Sequence, residues 1–346
     1  MASLPFEYEV SHSRVRTNGI WMHVAEKGEG PHLVLLLHGF PQTWYAWRHQ
    51  MAFLAARGFR AVAPDLRGFG DSDSPLSPAA YTIPHLVGDL VGLLDHLGHR
   101  QAFVVGHDWG AVAGWFLSLF RPDLVKGLVA LSSPYSPRSP GTRILESYKP
   151  LGDGFFITQF QVPFSLFTEK MESSCSHLTK KPGRAERAFA RYDYLTVMKK
   201  LLLYNKKEIL IAPPGMEIID YLETPATLPS WITEEDLQVY ADKFQESGFT
   251  GPLNYYRAMD LNWELLGPWD GAKITVPTKF MVGNKEHGFD SAGAKDYIQG
   301  NIFKNLVPNV EVVILDGHRF IHEERAQQVC DEILNFFHKL SIESQL

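Results

Sequence analysis

Short apolar segments that alternate with helical patterns constrain the fold most strongly. The segment 32–37, His-Leu-Val-Leu-Leu-Leu, is apolar after its first residue, as expected of a strand that is buried on both faces. Similar strand patterns lie at 6–15, 19–25, 59–63, 102–105, 127–131, 278–282 and 310–315, and helical patterns lie near 44–57, 83–97, 111–120 and 323–340. We therefore expect an α/β core with an eight-stranded, mostly parallel sheet and helices on both faces.

The alternation stops between residues 134 and 266. Aromatic-rich helical pieces, turn residues and a basic stretch replace the strands there, and the strand–helix alternation resumes afterwards. We predict that residues 1–133 and 267–346 form the core, and that residues 134–266 form a helical lid inserted after the sixth strand.

Composition excludes several classes of protein. The 33 Lys and Arg against 39 Asp and Glu give a net charge of −6, which argues against a generic nucleic-acid binder. The two cysteines, Cys175 and Cys330, are too few for a disulfide framework. Because no apolar run reaches the ~18 residues that span a bilayer, we expect a soluble, cytoplasmic protein without membrane association. The terminal Ser344-Gln345-Leu346 resembles a peroxisomal address, but Gln345 lacks its basic charge.

Two loops after predicted strands carry candidate chemistry. His38-Gly-Phe-Pro41 can turn tightly and aim a backbone N–H, because glycine is flexible and proline stiffens the exit. Gly106-His-Asp-Trp-Gly-Ala111 opens a helix and matches a nucleophile elbow, whose small flanking residues let one side chain rise above the sheet. Here that side chain is Asp108. The alternative is that Asp108 only caps the helix.

These motifs, with Asp65-Leu-Arg-Gly-Phe-Gly-Asp-Ser-Asp73 between them, make the chain similar to the α/β-hydrolase superfamily. Within it, the sequence most closely resembles the plant-type soluble epoxide hydrolases. Lid segments carry the more specific part of this resemblance, namely 160–163, Ser230-Trp231, 249–257 and 262–265. The resemblance implies the α/β-hydrolase fold and a small apolar epoxide-like substrate. No metal-ligand cluster or nucleotide-binding glycine pattern stands out, so no cofactor is expected.

The resemblance also implies a role for individual residues. Asp108 would attack an epoxide carbon to form an alkyl-enzyme ester, which water would cleave to a diol. The backbone N–H groups of Phe40 and Trp109 would form the oxyanion hole. Tyr256 would protonate the opening ring, whereas Phe156 stands where the family has a second tyrosine. A single missing donor of this kind can lower the rate by roughly a hundredfold to a thousandfold.

The water-activating residues depart from the family pattern. Glu286 falls at the position of the family's aspartate, and Arg319 falls at that of its histidine, with His318 one residue early. Arginine cannot act as a general base, so either His318 reaches the site through the shortened loop or the base is absent. Gln42 replaces a carboxylate that helps to hold water in the plant enzymes.

Substrate-pocket assignments complete the predicted site. His38, Gln42, His107 and Phe156 are assigned to the substrate pocket, with His107 supporting the elbow. His322, in the first turn of the final helix, is expected to be exposed.

The leading hypothesis is an epoxide hydrolase in which Asp108 attacks, Tyr256 protonates, and His318 with Glu286 activates water. A second is a non-hydrolytic isomerase, cyclase or lyase of specialised metabolism on the same scaffold. A third is a non-catalytic small-molecule binder, which would need no strained nucleophile. A fourth, haloalkane dehalogenation, would require an asparagine where Phe40 stands. The catalytic interpretation requires Asp108 to face a cavity and to be free of a salt link.

Overall fold

The structure is a computed structural model, and it describes residues 10–161, 183–290 and 293–343. Several features of the sequence lie outside these ranges. They are Val162-Pro163, Cys175, the basic residues Lys170, Lys180 and Lys181, and the C-terminal Ser344-Gln345-Leu346.

Eight strands form one sheet, which confirms the predicted fold class. In sheet order, β1 and β2 at one edge are antiparallel to each other, β2 is antiparallel to β4, and the remaining neighbours are parallel, in the order β1-β2-β4-β3-β5-β6-β7-β8. The strands are β1 (Ser11–Thr17), β2 (Ile20–Lys27), β3 (His32–Leu37), β4 (Phe59–Pro64), β5 (Ala102–His107), β6 (Val125–Leu131), β7 (Thr278–Gly283) and β8 (Val310–Leu315).

Helices cover both faces of the sheet, as two neighbouring residues of β6 show. A side chain at Gly127 would meet Leu340 on one face, whereas Leu128 lies against Gly114 on the other, since adjacent strand residues point in opposite directions. Gly114 belongs to α3 and Leu340 to α15. The core helices are α1 (Arg48–Ala55), α2 (Ile83–His96), α3 (Trp109–Phe120), α12 (Ala294–Gln299), α13 (Asn301–Leu306), α14 (Ile321–Glu324) and α15 (Ala326–Glu343).

Between β6 and β7, the described residues form helices and loops, with one isolated bridge between Phe155 and Ile211. Thr233 and Asp236 form a capping box at the start of the longest of these helices, so two otherwise unpaired N–H groups are satisfied. The helices are α4 (Ile144–Tyr148), α5 (Phe156–Gln161), α6 (Arg184–Phe189), α7 (Tyr194–Leu202), α8 (Ile218–Tyr221), α9 (Glu234–Ser247), α10 (Thr250–Arg257) and α11 (Met259–Leu265). The lid boundaries at 134 and 266 remain a prediction.

Parallel strands bring the loops at their carboxyl ends to one edge of the sheet. The loop 38–42 follows β3, Asp108 follows β5, Glu286 follows β7, and the loop 316–320 follows β8. The predicted site residues of the core therefore converge there, opposite helices α5 and α10. In the described ranges, no helix is both long enough and apolar enough to cross a bilayer.

Candidate active site

Asp108 stands on the predicted nucleophile elbow between β5 and α3. Its backbone is left-handed, with φ of 54° and ψ of −121°, a conformation that is unfavourable for a residue with a side chain. A Cβ at Gly106 would lie 2.4 Å from the carbonyl oxygen of Gly110, so the turn closes only because its flanking residues are small. The Asp108 carboxylate makes no capping hydrogen bond to the helix. Helix capping therefore does not explain Asp108.

The loop after β3 contacts this carboxylate directly. The N–H of Phe40 donates to Asp108 Oδ1 at 2.8 Å. A Cβ at Gly39 would lie 2.3 Å from the Asp108 Cβ, so only glycine allows this approach. Trp109 packs its ring 5.2 Å from that of Tyr256. The Phe40 N–H thus already points at the carboxylate, and an oxyanion hole formed by Phe40 and Trp109 stays a prediction.

Arg319 links Asp108 to Glu286. Its Nη2 donates to Asp108 Oδ2, and its Nη1 donates to Glu286 Oε1 at 2.6 Å. The backbone carbonyl of Arg319 accepts hydrogen bonds from Ser132 Oγ at 2.8 Å and from His107 Nε2 at 3.1 Å. These bonds fix the backbone from which the guanidinium reaches the two carboxylates. This contradicts the requirement that Asp108 be free of a salt link.

Burial and the neighbouring charges have opposite effects on the pKa values of the groups in this salt link. The side chains of Asp108 and Glu286 are only 8% and 6% exposed, and that of Arg319 is 21% exposed. Burial raises the pKa of Glu286, and the Arg319 cation offsets part of that rise. The two carboxylates in turn raise the pKa of Arg319 above its ordinary value. Arg319 therefore remains charged and cannot accept a proton from water.

His318 does not form the predicted pair with Glu286. Its Nδ1 lies 3.2 Å from Glu324 Oε2, and its backbone N–H donates to the same oxygen at 2.7 Å. The next residue, Arg319, instead contacts Asp108 and Glu286. The expectation that His318 swings into the site is therefore not met in this structure.

Tyr256 and Phe156 pack edge to face in the wall of a small aromatic chamber. Their ring centroids are 6.2 Å apart, and Tyr256 also packs 5.9 Å from the ring of Phe40. Burial and the Asp108 charge raise the pKa of Tyr256, which keeps its hydroxyl protonated at neutral pH. The chamber has a volume of about 60 Å³. Its described lining residues are Phe40, Pro41, Phe156, Phe160, Leu201, Tyr204, Leu210, Leu222, Tyr256, His287, Arg319 and Phe320.

His38 and His107 are buried behind the chamber and are not among its described lining residues. His38 Nε2 accepts the N–H of Leu66 at 2.9 Å, which joins the loops after β3 and β4. Burial and the nearby Arg319 lower the pKa of His107 well below its usual range, so it stays neutral while it supports the Arg319 carbonyl. Both histidines position the surrounding backbone.

Gln42 has a carboxylate partner that the sequence did not reveal. Its Nε2 donates to Glu323 Oε1 at 2.5 Å, and Arg48 Nη1 donates to Glu323 Oε2 at 2.5 Å. The hydroxyl of Tyr240 donates to the same carboxylate at 3.2 Å. The negative charge that is missing at position 42 is therefore present beside it, at Glu323.

His322 differs from the sequence-based prediction, and His287 was not predicted as a site residue. The prediction that His322 is exposed is wrong: it is fully buried, with its ring 4.3 Å from that of His107 and 4.7 Å from that of Trp47. His287 lines the chamber, and its Nδ1 lies 3.4 Å from Glu286 Oε1. Burial and Arg319 lower its pKa to about 3. Its position next to Glu286 was the only sequence signal for it.

Comparisons with known proteins agree with this architecture. The α/β hydrolase fold family model matches residues 32–326. An epoxide hydrolase 3 from Siraitia grosvenorii is 47% identical over 337 residues, covering 96% of this chain and 99% of that protein. Epoxide hydrolase A from Mycobacterium tuberculosis is 36% identical, covering 95% of this chain and 97% of that protein.

Solved structures give the same result. The structure of potato (Solanum tuberosum) epoxide hydrolase I matches with a TM-score of 0.86 and 44% identity, covering 96% of this chain and all of that one. An epoxide hydrolase from Vigna radiata matches with a TM-score of 0.87 and 44% identity, covering 97% of this chain and 100% of that one. The chain therefore belongs to the α/β-hydrolase superfamily and, within it, to the plant epoxide hydrolase family.

Proposed function

We propose that this protein opens small apolar epoxides by attack of Asp108 and hydrolyses the resulting ester to a diol. The left-handed elbow carries the proposal, because it holds the carboxylate above the sheet without capping the helix. Such backbone strain costs of order 1–3 kcal/mol and persists where function requires it. A protein that only binds a small molecule has no need of that strain.

In this proposal the first chemical step uses Asp108 and Tyr256. A carboxylate oxygen of Asp108 attacks an epoxide carbon, the carbon–oxygen bond of the ring breaks, and the departing oxygen takes the Tyr256 proton. The salt link with Arg319 lowers the nucleophilicity of Asp108. The requirement that Asp108 be free of such a link was too strict, since a carboxylate has about four acceptor positions and can still react. The hydrogen bonds from Phe40 and Arg319 occupy two of them.

The second step, hydrolysis of the ester, takes place beside Arg319. Water must add to the ester carbonyl and lose a proton, and Arg319 cannot take that proton, so it passes to His287. The acyl carbon–oxygen bond then breaks, the departing alkoxide takes the proton from His287, and the Asp108 acid returns a proton to the Tyr256 phenolate.

His287 is neutral before this step but is a weak base, since its pKa is lowered to about 3. We therefore expect ester hydrolysis to limit turnover, and the alkyl-enzyme to accumulate. Residues 134–266 serve in this proposal as the lid that carries Phe156 and Tyr256.

Arg319 also favours a second candidate. Where water is not activated, the ester can be displaced by a group within the substrate, or Asp108 can act as a base. The product is then an isomer, a cyclised compound or an elimination product, and its formation needs no water.

The two candidates separate in a single-turnover experiment with excess enzyme, styrene oxide and oxygen-18 water. Covalent hydrolysis places oxygen-18 in Asp108, because water attacks the carboxyl carbon, and leaves the first diol unlabelled. Intact mass spectrometry follows the ester as a gain of one epoxide mass. Asp108→Asn should abolish the ester, whereas Asp296→Asn, at an exposed position, should not.

An unlabelled product isomeric with the epoxide favours the second candidate. Oxygen-18 in the first diol without label in Asp108 contradicts the proposed covalent route. Absence of ester and product with wild-type protein contradicts both candidates for this epoxide.

A further inference from the structure

A second cavity adjoins the active-site chamber and shares Tyr204 and Phe320 with it. We name it the outer chamber. Its volume is about 430 Å³, within the range of small-molecule pockets, whereas the active-site chamber measures about 60 Å³. The outer chamber is lined by Leu202, Leu203, Tyr204, Asn205, Pro225, Thr227, Leu228, Pro229, Ser230, Trp231, His318, Phe320, Glu324 and Arg325.

The wall of the outer chamber has an apolar and a polar part. Leu203 and Phe320 are buried, and Trp231 is half-buried, so they offer a flat aromatic and aliphatic surface. On the polar side, the side chain of His318 is 33% exposed and that of Glu324 is 11% exposed. A ligand that fits this wall has a ring-shaped apolar body and a small polar group.

The His318–Glu324 contact defines which polar group is recognised. A carboxylate accepts hydrogen bonds, so when the imidazole carries one proton, Glu324 favours the tautomer with that proton on Nδ1. The other nitrogen, Nε2, is then an acceptor, and it has no hydrogen-bond partner within the described part of the chain. An O–H donor satisfies that nitrogen.

Charge limits the ligand further. Glu324 places a carboxylate in the wall, so an anionic ligand is repelled. The carbonyl of Asp316 accepts the Nε–H of Arg325 at 2.6 Å. Arg325 Nη2 lies 3.4 Å from the Asp316 carboxylate and 3.9 Å from Glu324 Oε1. The chamber therefore favours a neutral molecule over an anionic one.

We propose that the outer chamber binds a neutral alcohol with an aromatic or alicyclic body, whose hydroxyl donates to His318 Nε2 and whose ring packs against Trp231 and Phe320. His318, predicted from the sequence as the base of the active site, is a ligand-binding residue of this second site. The proposal is independent of the chemistry at Asp108.

Isothermal titration calorimetry of the full chain with 1-naphthylmethanol tests the proposal. We expect saturable binding that weakens roughly three- to tenfold in His318→Ala, which loses one hydrogen bond. Trp231→Ala should weaken it at least about tenfold, because a large packing surface is lost. His338→Ala and Trp21→Ala, which replace exposed side chains elsewhere, should bind as the wild type does.

Two ligand controls examine the selection for a neutral alcohol. 1-Methylnaphthalene lacks the hydroxyl, and 1-naphthylacetate replaces it with a negative charge; both should bind more weakly than the alcohol. Equal binding of all three, or an affinity for the alcohol that neither His318→Ala nor Trp231→Ala changes, overturns the proposal. Asp108→Asn should retain alcohol binding, so a failure of the epoxide chemistry and a failure of the outer chamber are measured separately.

Discussion

Replacing Arg319 by methionine tests whether its cation stabilises the buried carboxylates. Asp108 and Glu286, at 8% and 6% exposure, would lose the guanidinium that both now contact. Removing one partner from a buried ion pair costs about 3–5 kcal/mol, because an uncompensated charge remains. The unfolding entropy of 346 residues is roughly 0.7 kcal/mol per kelvin, so the melting temperature should fall by about 4–7 °C.

The loss should depend on pH in a defined direction. Unpaired buried carboxylates have raised pKa values in the folded state, so they bind protons more readily there than in the unfolded chain. The destabilisation of Arg319→Met should therefore be largest at pH 8 and smaller at pH 5. Adding Glu286→Gln should recover part of the lost stability at pH 8, since one of the two uncompensated charges is removed.

Differential scanning calorimetry at both pH values measures these shifts. Arg143→Met is the matched control: Arg143 contacts Glu264 at the surface, with side chains 45% and 49% exposed, and its loss should cost at most about 1 kcal/mol. A melting temperature of Arg319→Met within 1 °C of wild type at pH 8 would refute the reasoning, as would equal losses at pH 5 and pH 8.

Three further outcomes are expected. Arg319→His introduces an imidazole at the base position and should speed decay of the Asp108 ester by roughly a hundredfold, followed by intact mass; an unchanged decay contradicts the assigned role of that position. Tyr256→Phe should slow ester formation about a hundredfold, whereas Tyr221→Phe, at a half-buried lid position, should leave it unchanged. Equal rates of ester formation in wild type and both variants contradict proton donation by Tyr256. The pKa of Glu286 is raised in the folded state, so its protonation stabilises the fold at low pH, and this contribution is lost as the pH rises above 4.5, the ordinary pKa of a glutamate. Thermal melts should therefore show that wild type loses stability relative to Glu286→Gln between pH 4 and pH 8. The same pH dependence in both proteins contradicts this expectation.

The central strands of the core could be predicted because they are short and mostly apolar. The predicted strand 32–37 coincides with β3. Helix ends were less predictable: the pattern near 44–57 became a 3₁₀ turn, Trp44–Trp47, followed by α1. Apolar spacing indicates which face is buried, but it does not distinguish a tighter turn from an α-helical one.

The site was predictable where one local motif determines the geometry. The elbow at Asp108 is possible only with small flanking residues, so the position of Asp108 could be predicted from the six residues 106–111. The partners of Arg319 and Gln42 come from distant parts of the chain, and Glu323 lies 281 residues from Gln42. The substitution at position 319 was visible in the sequence, whereas its contact with both carboxylates depends on how the loops after β5, β7 and β8 meet.

The contact of one cation with two carboxylates has an electrostatic consequence for the reaction itself. Asp108, Glu286 and Arg319 together carry one surplus negative charge in a region with little solvent. Alkylation of Asp108 turns its carboxylate into a neutral ester and leaves Glu286 and Arg319 as a balanced pair. The alkylated site therefore carries no net charge, whereas the free site carries one buried negative charge that Arg319 must hold.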